Sequence, residues 1–239
     1  METPDQPIPA KPVSSIKHRV KIELPVLDEA RLRNRSRVIE LSRFLVKTFT
    51  KVTVSGMENV PMQGPALLVV NHLGDADSVV KIANFPRQID PIAKIELNDI
   101  PILGTIMRSY GVIWIRRGQP DRQALSAALR GLSEGRLIMI NPEGRESSTG
   151  ALEEALNGAA FLAIKAGAPV LPVAMTGTEN SRIYPNMLRF QRTEVSLAVG
   201  PLFWLPTDLD RHSAITRGTQ IIMQAIADLL PVEYRGVYS

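Results

Sequence analysis

Short apolar runs alternate with longer amphipathic stretches along most of this chain, and this alternation restricts the fold more than any other feature. The runs at 65–72, 136–144 and 169–177 are almost continuously apolar before they turn polar. Such runs are typical of strands buried on both faces of a sheet. Stretches with helical periodicity follow, for example at 121–135 and 151–167. The pattern predicts an α/β fold, a single domain with a mostly parallel central sheet covered by helices, plus an N-terminal amphipathic helix.

The length and composition of the chain are compatible with this fold. A chain of 239 residues can bury one sizeable core. The absence of cysteine excludes disulfides, thiolate metal sites and a cysteine nucleophile. We expect a poorly ordered, proline-rich tail at 1–30, a basic amphipathic helix at 31–51 and the α/β domain at 52–239.

The segment 31–51 has the composition of a helix that lies on a membrane surface, with seven basic residues and one acidic residue. A helical projection gives it an apolar stripe with a basic opposite side, as such a helix requires. The same pattern suits a surface helix that packs its stripe on the domain, and both arrangements can hold together. The stripe consists of Val38, Leu41, Leu45 and Phe49, and the basic residues opposite are Arg43, Lys47 and Lys51.

The distribution of charge and apolar residues indicates where the protein acts. The net charge of +4 comes entirely from residues 1–50, with ten Lys or Arg against six Asp or Glu. A nucleic-acid binder would spread basic and aromatic residues over its folded body, so nucleic acid is not expected as a partner. No stretch approaches the roughly 20 apolar residues that span a bilayer, and no signal peptide is evident. We expect a cytoplasmic protein, peripheral on the inner face of the cell membrane and in contact with anionic lipid.

A histidine at the end of a predicted strand is the first candidate for chemistry. His72 follows the apolar run at 65–70, and Asp77 comes five residues later. An imidazole can take a proton from a hydroxyl if a carboxylate fixes its tautomer. Positions five apart diverge by roughly 140° on a continuous helix, so this pair requires His72 in a turn and Asp77 in the first helical turn. Asp75 is a competing partner for the imidazole, or a helix cap.

Charged residues also follow two other predicted strands. Arg117 is the second of two adjacent arginines at a strand end, where guanidinium groups can clamp a phosphate. Glu143, Gly144 and Arg145 lie in a tight turn after the strand at 136–140. There a carboxylate can accept hydrogen bonds from a polyol, while an arginine and backbone N–H groups can hold an anion. Taken singly, the arginine pair is better explained as ordinary solvated charge at a strand edge, and the second segment is compatible with an ordinary turn that carries surface charges.

Four segments, taken in order, resemble the motifs of the glycerolipid acyltransferase family, which includes the 1-acylglycerol-3-phosphate acyltransferases. Residues 72–77 match its His-x4-Asp motif, and residues 111–117 are similar to its Gly-x-x-Phe-Ile-x-Arg block. Residues 142–144 match the core of its Phe-Pro-Glu-Gly-Thr-Arg block, and residues 170–174 are similar to its proline-centred block. The resemblance covers about residues 50–205.

The resemblance implies a role for each of these residues. His72 would be the general base on the free hydroxyl of a lysophospholipid, and Asp77 would hold its imidazole. Backbone N–H groups just beyond His72 would be donors to the developing oxyanion. Asn141 stands where the family commonly has Phe, and Arg145–Glu146 where it has Thr-Arg, so the third-block arginine is shifted by one position. The residues that would position the glycerol phosphate are Arg117, Glu143, Gly144 and Arg145.

The implied reaction transfers a fatty acyl group from acyl-CoA or acyl-carrier protein to 1-acylglycerol 3-phosphate, giving phosphatidic acid. No metal and no organic cofactor is implied beyond the acyl thioester itself. Alternatives are another acceptor, such as glycerol 3-phosphate or a different lysolipid, and a non-catalytic, membrane-tethered lipid-binding protein. A hydrolase that uses His72 is disfavoured, because the chain has no Gly-x-Ser-x-Gly nucleophile elbow.

Overall fold

The computed structural model describes residues 20–118 and 120–239. Within them, strands and helices alternate as the sequence predicts. The strands are β1 (Thr50–Ser55), β2 (Ala66–Val70), β3 (Ile89–Lys94), β4 (Ile113–Ile115), β5 (Leu137–Ile140), β6 (Val170–Thr176) and β7 (Thr193–Val199). The α-helices are α1 (Glu29–Phe49), α2 (Ala76–Asn84), α3 (Pro101–Tyr110), α4 (Arg122–Ser133), α5 (Gly158–Ala166), α6 (Asn180–Leu188) and α7 (Arg211–Ala227).

The strands form one sheet in the order β1-β7-β6-β2-β5-β3-β4. All neighbouring pairs are parallel except β6 and β7, which are antiparallel. The prediction of a mostly parallel sheet is therefore confirmed. Strands β2 to β6 all end at one edge of the sheet, which we call the C-terminal edge. Because β1 and β7 run the opposite way, their first residues lie at this same edge.

The core occupies both faces of the sheet, which explains the uniform apolar runs in the sequence. In β2, Leu67 and Val69 belong to a cluster with α4, α5 and α7 on one face. Leu68 and Val70 belong to a second cluster on the other face, where α2 and α6 pack. All four side chains are fully buried. A strand covered on both faces has no polar side, so its sequence does not alternate.

Helix α1 begins and ends two residues before the predicted segment 31–51. Asp28 caps its first turn by accepting a hydrogen bond from Arg31 N at 2.7 Å, and Thr50 already belongs to β1. The helix packs on α2 and α3. The centre of its buried side is the arginine Arg35, whose Nη2 donates to Asp90 Oδ1 at 2.5 Å. The alternative in which this helix packs on the domain is thus the observed one.

The apolar stripe of α1 is only partly used by this packing. The side of α1 that contacts the domain is centred on Arg35 and Ser42. Part of the apolar stripe therefore lies outside this contact. Leu41 remains 46% exposed and Phe44 65% exposed. No helix in the described part of the chain has the length and apolar character needed to cross a bilayer.

The predicted tail at 1–30 requires a correction over its described part, since residues 1–19 lie outside the described residues. Residues 20–28 are not a loose tail, because they lie against the domain. Leu24 is buried within the core cluster, and Val20 and Ile22 pack beside Tyr110. The carbonyl of Pro25 accepts a hydrogen bond from Arg136 Nη1 at 2.8 Å. Alternate apolar side chains give this proline-containing segment enough buried surface to be held in place.

Two further segments differ from the prediction. Helical periodicity predicts that residues 151–157 begin a helix, but they have no regular secondary structure. Two of their backbone N–H groups bind other parts of the chain. Leu152 N donates to Tyr234 O at 2.9 Å, and Glu153 N donates to the Glu143 carboxylate at 2.9 Å. Helix α6 was not predicted, because it is short and contains Pro185.

Candidate active site

The turn between β2 and α2 carries His72 at the C-terminal edge of the sheet. Asn71 is buried and fixes this turn to the neighbouring strand β6. Its amide donates to Met175 O at 2.9 Å, and its Oδ1 accepts from Met175 N at 2.8 Å. Gly74 is needed because a Cβ atom there would lie 2.5 Å from Thr178 O. The backbone of the turn therefore leaves little freedom in where His72 can lie.

Asp77 lies in the first turn of α2, and the structure brings it to His72. Its Oδ2 lies 2.7 Å from His72 Nδ1 and accepts a second hydrogen bond from Leu73 N at 2.9 Å. This is the turn-plus-first-helical-turn arrangement that the five-residue spacing requires. A proton on Nδ1 leaves Nε2 of His72 as the acceptor. The His72 side chain is 16% exposed, whereas Asp77 is fully buried.

The charge state of Asp77 depends on the groups around it. Burial favours the protonated form, but the hydrogen bond to His72 and the charge of Lys81 outweigh it and lower the pKa of Asp77 below its ordinary value. Lys81 lies one helical turn after Asp77 and is itself buried. Burial lowers the pKa of Lys81, and the charge of Asp77 acts against that shift. An ionised Asp77 is the form that holds the Nδ1–H tautomer of His72.

Asp75, the competing partner, faces away from the imidazole. Its Oδ2 accepts a hydrogen bond from the Tyr184 hydroxyl at 2.6 Å, and its N–H donates to Asn180 Oδ1 at 3.0 Å. Its side chain makes no capping hydrogen bond to α2. Asp75 therefore links the turn to α6. The backbone N–H groups after His72, predicted as oxyanion donors, are also engaged, because those of Leu73 and Gly74 donate to Asp77.

Glu143 is buried beneath His72 and uses both carboxylate oxygens inside the protein. Oε2 accepts a hydrogen bond from His72 N at 3.1 Å, and Oε1 accepts from Glu153 N at 2.9 Å. Burial raises the pKa of Glu143 to about 7. Gly144 follows with φ of +71°, which the tight turn requires. These contacts make Glu143 a support for the His72 backbone, a role that the sequence pattern did not indicate.

The loop after β5 brings Glu146, which the sequence analysis did not select, closest to the open side of His72. Glu146 Oε1 lies 3.8 Å from His72 Nε2. Arg145 turns the other way and pairs with Glu153 at 2.6 Å, with most of its side chain exposed. The loop is bound to the turn that carries His72 through Ser147 N, which donates to His72 O at 2.7 Å. Only the folded loop shows which of two adjacent charged residues faces the imidazole.

Arg117 follows β4 at the same edge of the sheet. Partial burial lowers its pKa, while the charges of Glu96 and Glu146 raise it, which places Arg117 within electrostatic range of the His72 site. Its neighbour Arg116 is held elsewhere, 3.8 Å from the Asp121 carboxylate that caps α4.

An apolar groove of about 180 Å³ lies between α1, α2 and α6. It begins at Asp75 and Ala76, directly after the turn that carries His72. A narrow, apolar groove of this kind suits a hydrocarbon chain better than a polar ligand. The apolar residues that line it include Leu45, Phe49, Val79, Val80, Ile183 and Met187.

Comparison with known proteins gives sequence matches over the region that carries this site. The family described as Acyltransferase matches residues 51–176. The 1-acyl-sn-glycerol-3-phosphate acyltransferase of Borreliella burgdorferi is 31% identical over 155 residues, 64% of this chain and 61% of that protein. A chloroplastic 1-acyl-sn-glycerol-3-phosphate acyltransferase of Arabidopsis thaliana is 32% identical over 133 residues, 54% of this chain and 37% of that protein. The chain thus spans less than two thirds of the length of these relatives.

A solved structure shares the fold. The crystal structure of the 1-acyl-sn-glycerophosphate acyltransferase from Thermotoga maritima matches with a TM-score of 0.64 and 24% sequence identity. The match covers 85% of this chain and 84% of that one. The likeness extends over most of both chains, so the arrangement of sheet and helices is common to the two.

Proposed function

This chain belongs to the acyltransferase family, and from that premise we propose that it transfers a fatty acyl group from a thioester to the free hydroxyl of 1-acylglycerol 3-phosphate. The product would be phosphatidic acid. The observation that carries the proposal is the 2.7 Å contact between His72 Nδ1 and Asp77 Oδ2, which leaves Nε2 of His72 as a proton acceptor. The names of the sequence relatives support the choice of acceptor.

In this mechanism, His72 is the general base. Its Nε2 takes the proton of the acceptor hydroxyl while the hydroxyl oxygen bonds to the thioester carbonyl carbon. The carbon–sulfur bond then breaks, and the proton passes from His72 to the departing thiolate. Asp77 keeps the proton on Nδ1 and stabilises the charged imidazole between these steps. General acid–base catalysis of this type contributes roughly 10²- to 10⁴-fold.

The acceptor phosphate is held by arginine in this proposal. Arg117 is the first candidate, because it lies within electrostatic range of Glu146 beside His72 and is exposed. Arg145 is the second, since its exposed guanidinium needs only to exchange Glu153 for a phosphate. Glu143 and Gly144 contribute by shaping the turn: Glu143 holds the His72 backbone, and Gly144 allows the loop to bend.

The acyl chain of one substrate lies in the groove between α1, α2 and α6. The groove is apolar and begins next to the catalytic turn, so a chain in it would place its carboxyl end near His72. The acyl thioester, from acyl-CoA or acyl-carrier protein, is the co-substrate, and the proposed reaction needs no metal or organic cofactor.

The protein acts at a membrane surface in this proposal, at the inner face of the cell membrane, because its acceptor is a lipid. Helix α1 supports this placement. It exposes Leu41 and Phe44 beside basic residues, and each basic residue near an anionic leaflet contributes about 1 kcal/mol of binding.

A panel of acceptors and donors tests the proposal. Purified protein is incubated with acyl-CoA or acyl-carrier protein and with lysophosphatidic acid, glycerol 3-phosphate or lysophosphatidylcholine. We expect phosphatidic acid from lysophosphatidic acid and no product with His72→Ala. Turnover only with glycerol 3-phosphate would change the acceptor. A lack of turnover with every acceptor and donor would contradict the enzyme proposal and favour a lipid-binding protein.

A further inference from the structure

The segment between α6 and β7 has a backbone conformation that its sequence does not favour. We call this segment, together with the last residue of α6, the tip. It consists of Leu188, Arg189, Phe190, Gln191 and Arg192. Phe190 N donates to Met187 O at 3.1 Å, and Gln191 N donates to Asn186 O at 2.8 Å. These two bonds are those of a Schellman cap, which closes a helix with one residue in the left-handed conformation.

Phe190 occupies the position where this cap usually has glycine. Its φ is +53°, and it is the single non-glycine residue with positive φ among the described residues. A bulky side chain is a rare outlier in this region because its Cβ crowds the backbone. The Phe190 side chain is also 90% exposed, so it gives the fold no packing in return for this strain. An outlier of this kind, on the surface and near a candidate site, is a reason to look for a function outside the fold.

The tip presents an apolar pair flanked by arginines. Leu188 is 83% exposed, which leaves both large apolar side chains of the tip in water. Arg189 and Arg192 are exposed beside them. Exposed apolar side chains next to exposed cations match the layers of a bilayer surface: hydrocarbon inside and anionic headgroups outside.

The tip lies next to the end of α1 and next to the groove. Arg192 Nε donates to Thr50 O at 2.8 Å, at the residue that follows α1. Arg192 also lines a cleft of about 330 Å³ together with Arg43 and Lys47 of α1. Beside the tip, Met187 forms part of the wall of the apolar groove. The acidic residues near this cluster are Glu40, which pairs with Arg43, and Glu194, which pairs with Lys51.

We propose that the tip is a second membrane-contacting element, in which Phe190 and Leu188 enter the bilayer while Arg189 and Arg192 meet anionic headgroups. Together with the exposed side of α1, it places the groove where a hydrocarbon chain can pass from the lipid into the protein. The partner is a bilayer with anionic lipid, because an acidic protein surface would match the arginines but not two fully exposed apolar side chains. The inference extends the proposed function, since it says how the catalytic domain reaches a lipid substrate.

The cysteine-free sequence allows a direct test by fluorescence. Phe190→Cys is labelled with an environment-sensitive nitrobenzoxadiazole dye and mixed with phosphatidylcholine vesicles, with or without phosphatidylglycerol. Met62→Cys is the matched control, because Met62 is 61% exposed but precedes β2, at the opposite edge of the sheet. We expect the label at position 190 to brighten and shift to shorter wavelength on anionic vesicles, and the label at position 62 to stay unchanged. Equal responses at the two positions would refute the proposal.

Vesicle binding and catalysis are then separated. Leu188→Ser/Phe190→Ser should bind anionic vesicles roughly 10- to 100-fold more weakly than wild type, because two apolar side chains are lost from the lipid. With detergent-dispersed substrate its turnover should match that of wild type. Unchanged vesicle binding would contradict the membrane role of the tip. A response of the label at position 190 to acyl-carrier protein and not to vesicles would also contradict it. If the wild-type protein binds vesicles through the tip but shows no turnover, the proposed reaction is wrong and the membrane role of the tip is retained.

Discussion

At the scale of single residues, the candidate site is a set of buried groups that hold the partly exposed side chain of His72. Asp77 binds the Nδ1 side of His72, and Glu143 binds its backbone N–H. Lys81 lies behind Asp77 and has that carboxylate as its main electrostatic partner. The catalytic residue in this account is His72, and the other three residues act through it.

Replacement of Lys81 should change how the site responds to pH. The charge of Lys81 lowers the pKa of Asp77, so in Lys81→Met the carboxyl takes up a proton at higher pH. Activity should therefore be lost at a higher pH than in wild type as the pH falls, so the acid limb of kcat/KM should move upward. Lys165→Met, at an exposed position on α5, is the control and should keep the wild-type profile. An unshifted acid limb in a folded Lys81→Met protein would rule out this role.

Glu143→Gln tests whether Glu143 supports His72 or binds substrate. An amide can accept from only one of the two N–H groups that Glu143 now binds, so the His72 turn should loosen. We expect kcat to fall roughly tenfold or more with KM little changed, and the free energy of unfolding to drop by about 1–3 kcal/mol. Steady-state kinetics and denaturant unfolding measure the two effects. A large rise in KM with kcat intact would instead indicate substrate contact.

The His72–Asp77 pair could be predicted from sequence because its spacing and its place after a buried run are local properties. Lys81 and Glu146 could not, because their roles depend on which side of α2 is covered and on how the loop after β5 folds. Arg145 shows the same limit. Its motif position predicts a substrate contact, while the folded loop pairs it with Glu153.

At the scale of elements, helices α1 and α6 enclose the groove beside the site. The buried strands could be predicted from the sequence because both of their faces are covered, which gives each a continuous apolar run. Helix α6 could not be predicted, because it is short and contains proline. Residues 151–157 have helical periodicity, but the N–H groups of Leu152 and Glu153 donate to Tyr234 O and to the Glu143 carboxylate instead of beginning a helix. Tertiary contacts outweigh local propensity in such segments.

Phe190→Gly should stabilise the fold while it weakens membrane contact. Glycine adopts the left-handed conformation without strain, so the free energy of unfolding should rise by about 1 kcal/mol. Phe190→Ser loses the same apolar side chain but keeps a Cβ, so it should weaken vesicle binding without stabilising the protein. Denaturant unfolding and vesicle sedimentation distinguish the two variants. A less stable Phe190→Gly protein would show that the ring packs on the fold.

At the scale of the whole molecule, one edge of the sheet combines the site, the end of α1 and the tip. Strands β1 and β7 run opposite to the other strands, so both begin at the edge where β2 and β6 end. The end of α1 and the tip directly precede these two strands and therefore lie at the same edge. Removal of α1 is not a usable test of membrane contact. The helix buries Arg35 against Asp90, and its loss would remove the nearer of the two arginines that pair with this buried carboxylate.

Point variants of the exposed side of α1 avoid that problem. Leu41→Ser/Phe44→Ser changes side chains that face solvent, so the midpoint of thermal unfolding should stay within a few degrees of wild type. Affinity for anionic vesicles should fall roughly tenfold or more. Val232→Ser, at an exposed apolar position after α7, is the control. Equal affinity of the double variant and wild type for anionic vesicles would show that this side of α1 does not contact the membrane.

The most direct test of the central claim is the rate of phosphatidic acid formation from lysophosphatidic acid by wild type and by His72→Ala, compared at equal concentrations of folded protein. If His72 is the general base, the variant should be slower by roughly 10²- to 10⁴-fold, with its thermal unfolding unchanged. A variant that retains a rate within a few-fold of wild type would contradict the account, because removal of the hydroxyl proton would then not depend on His72.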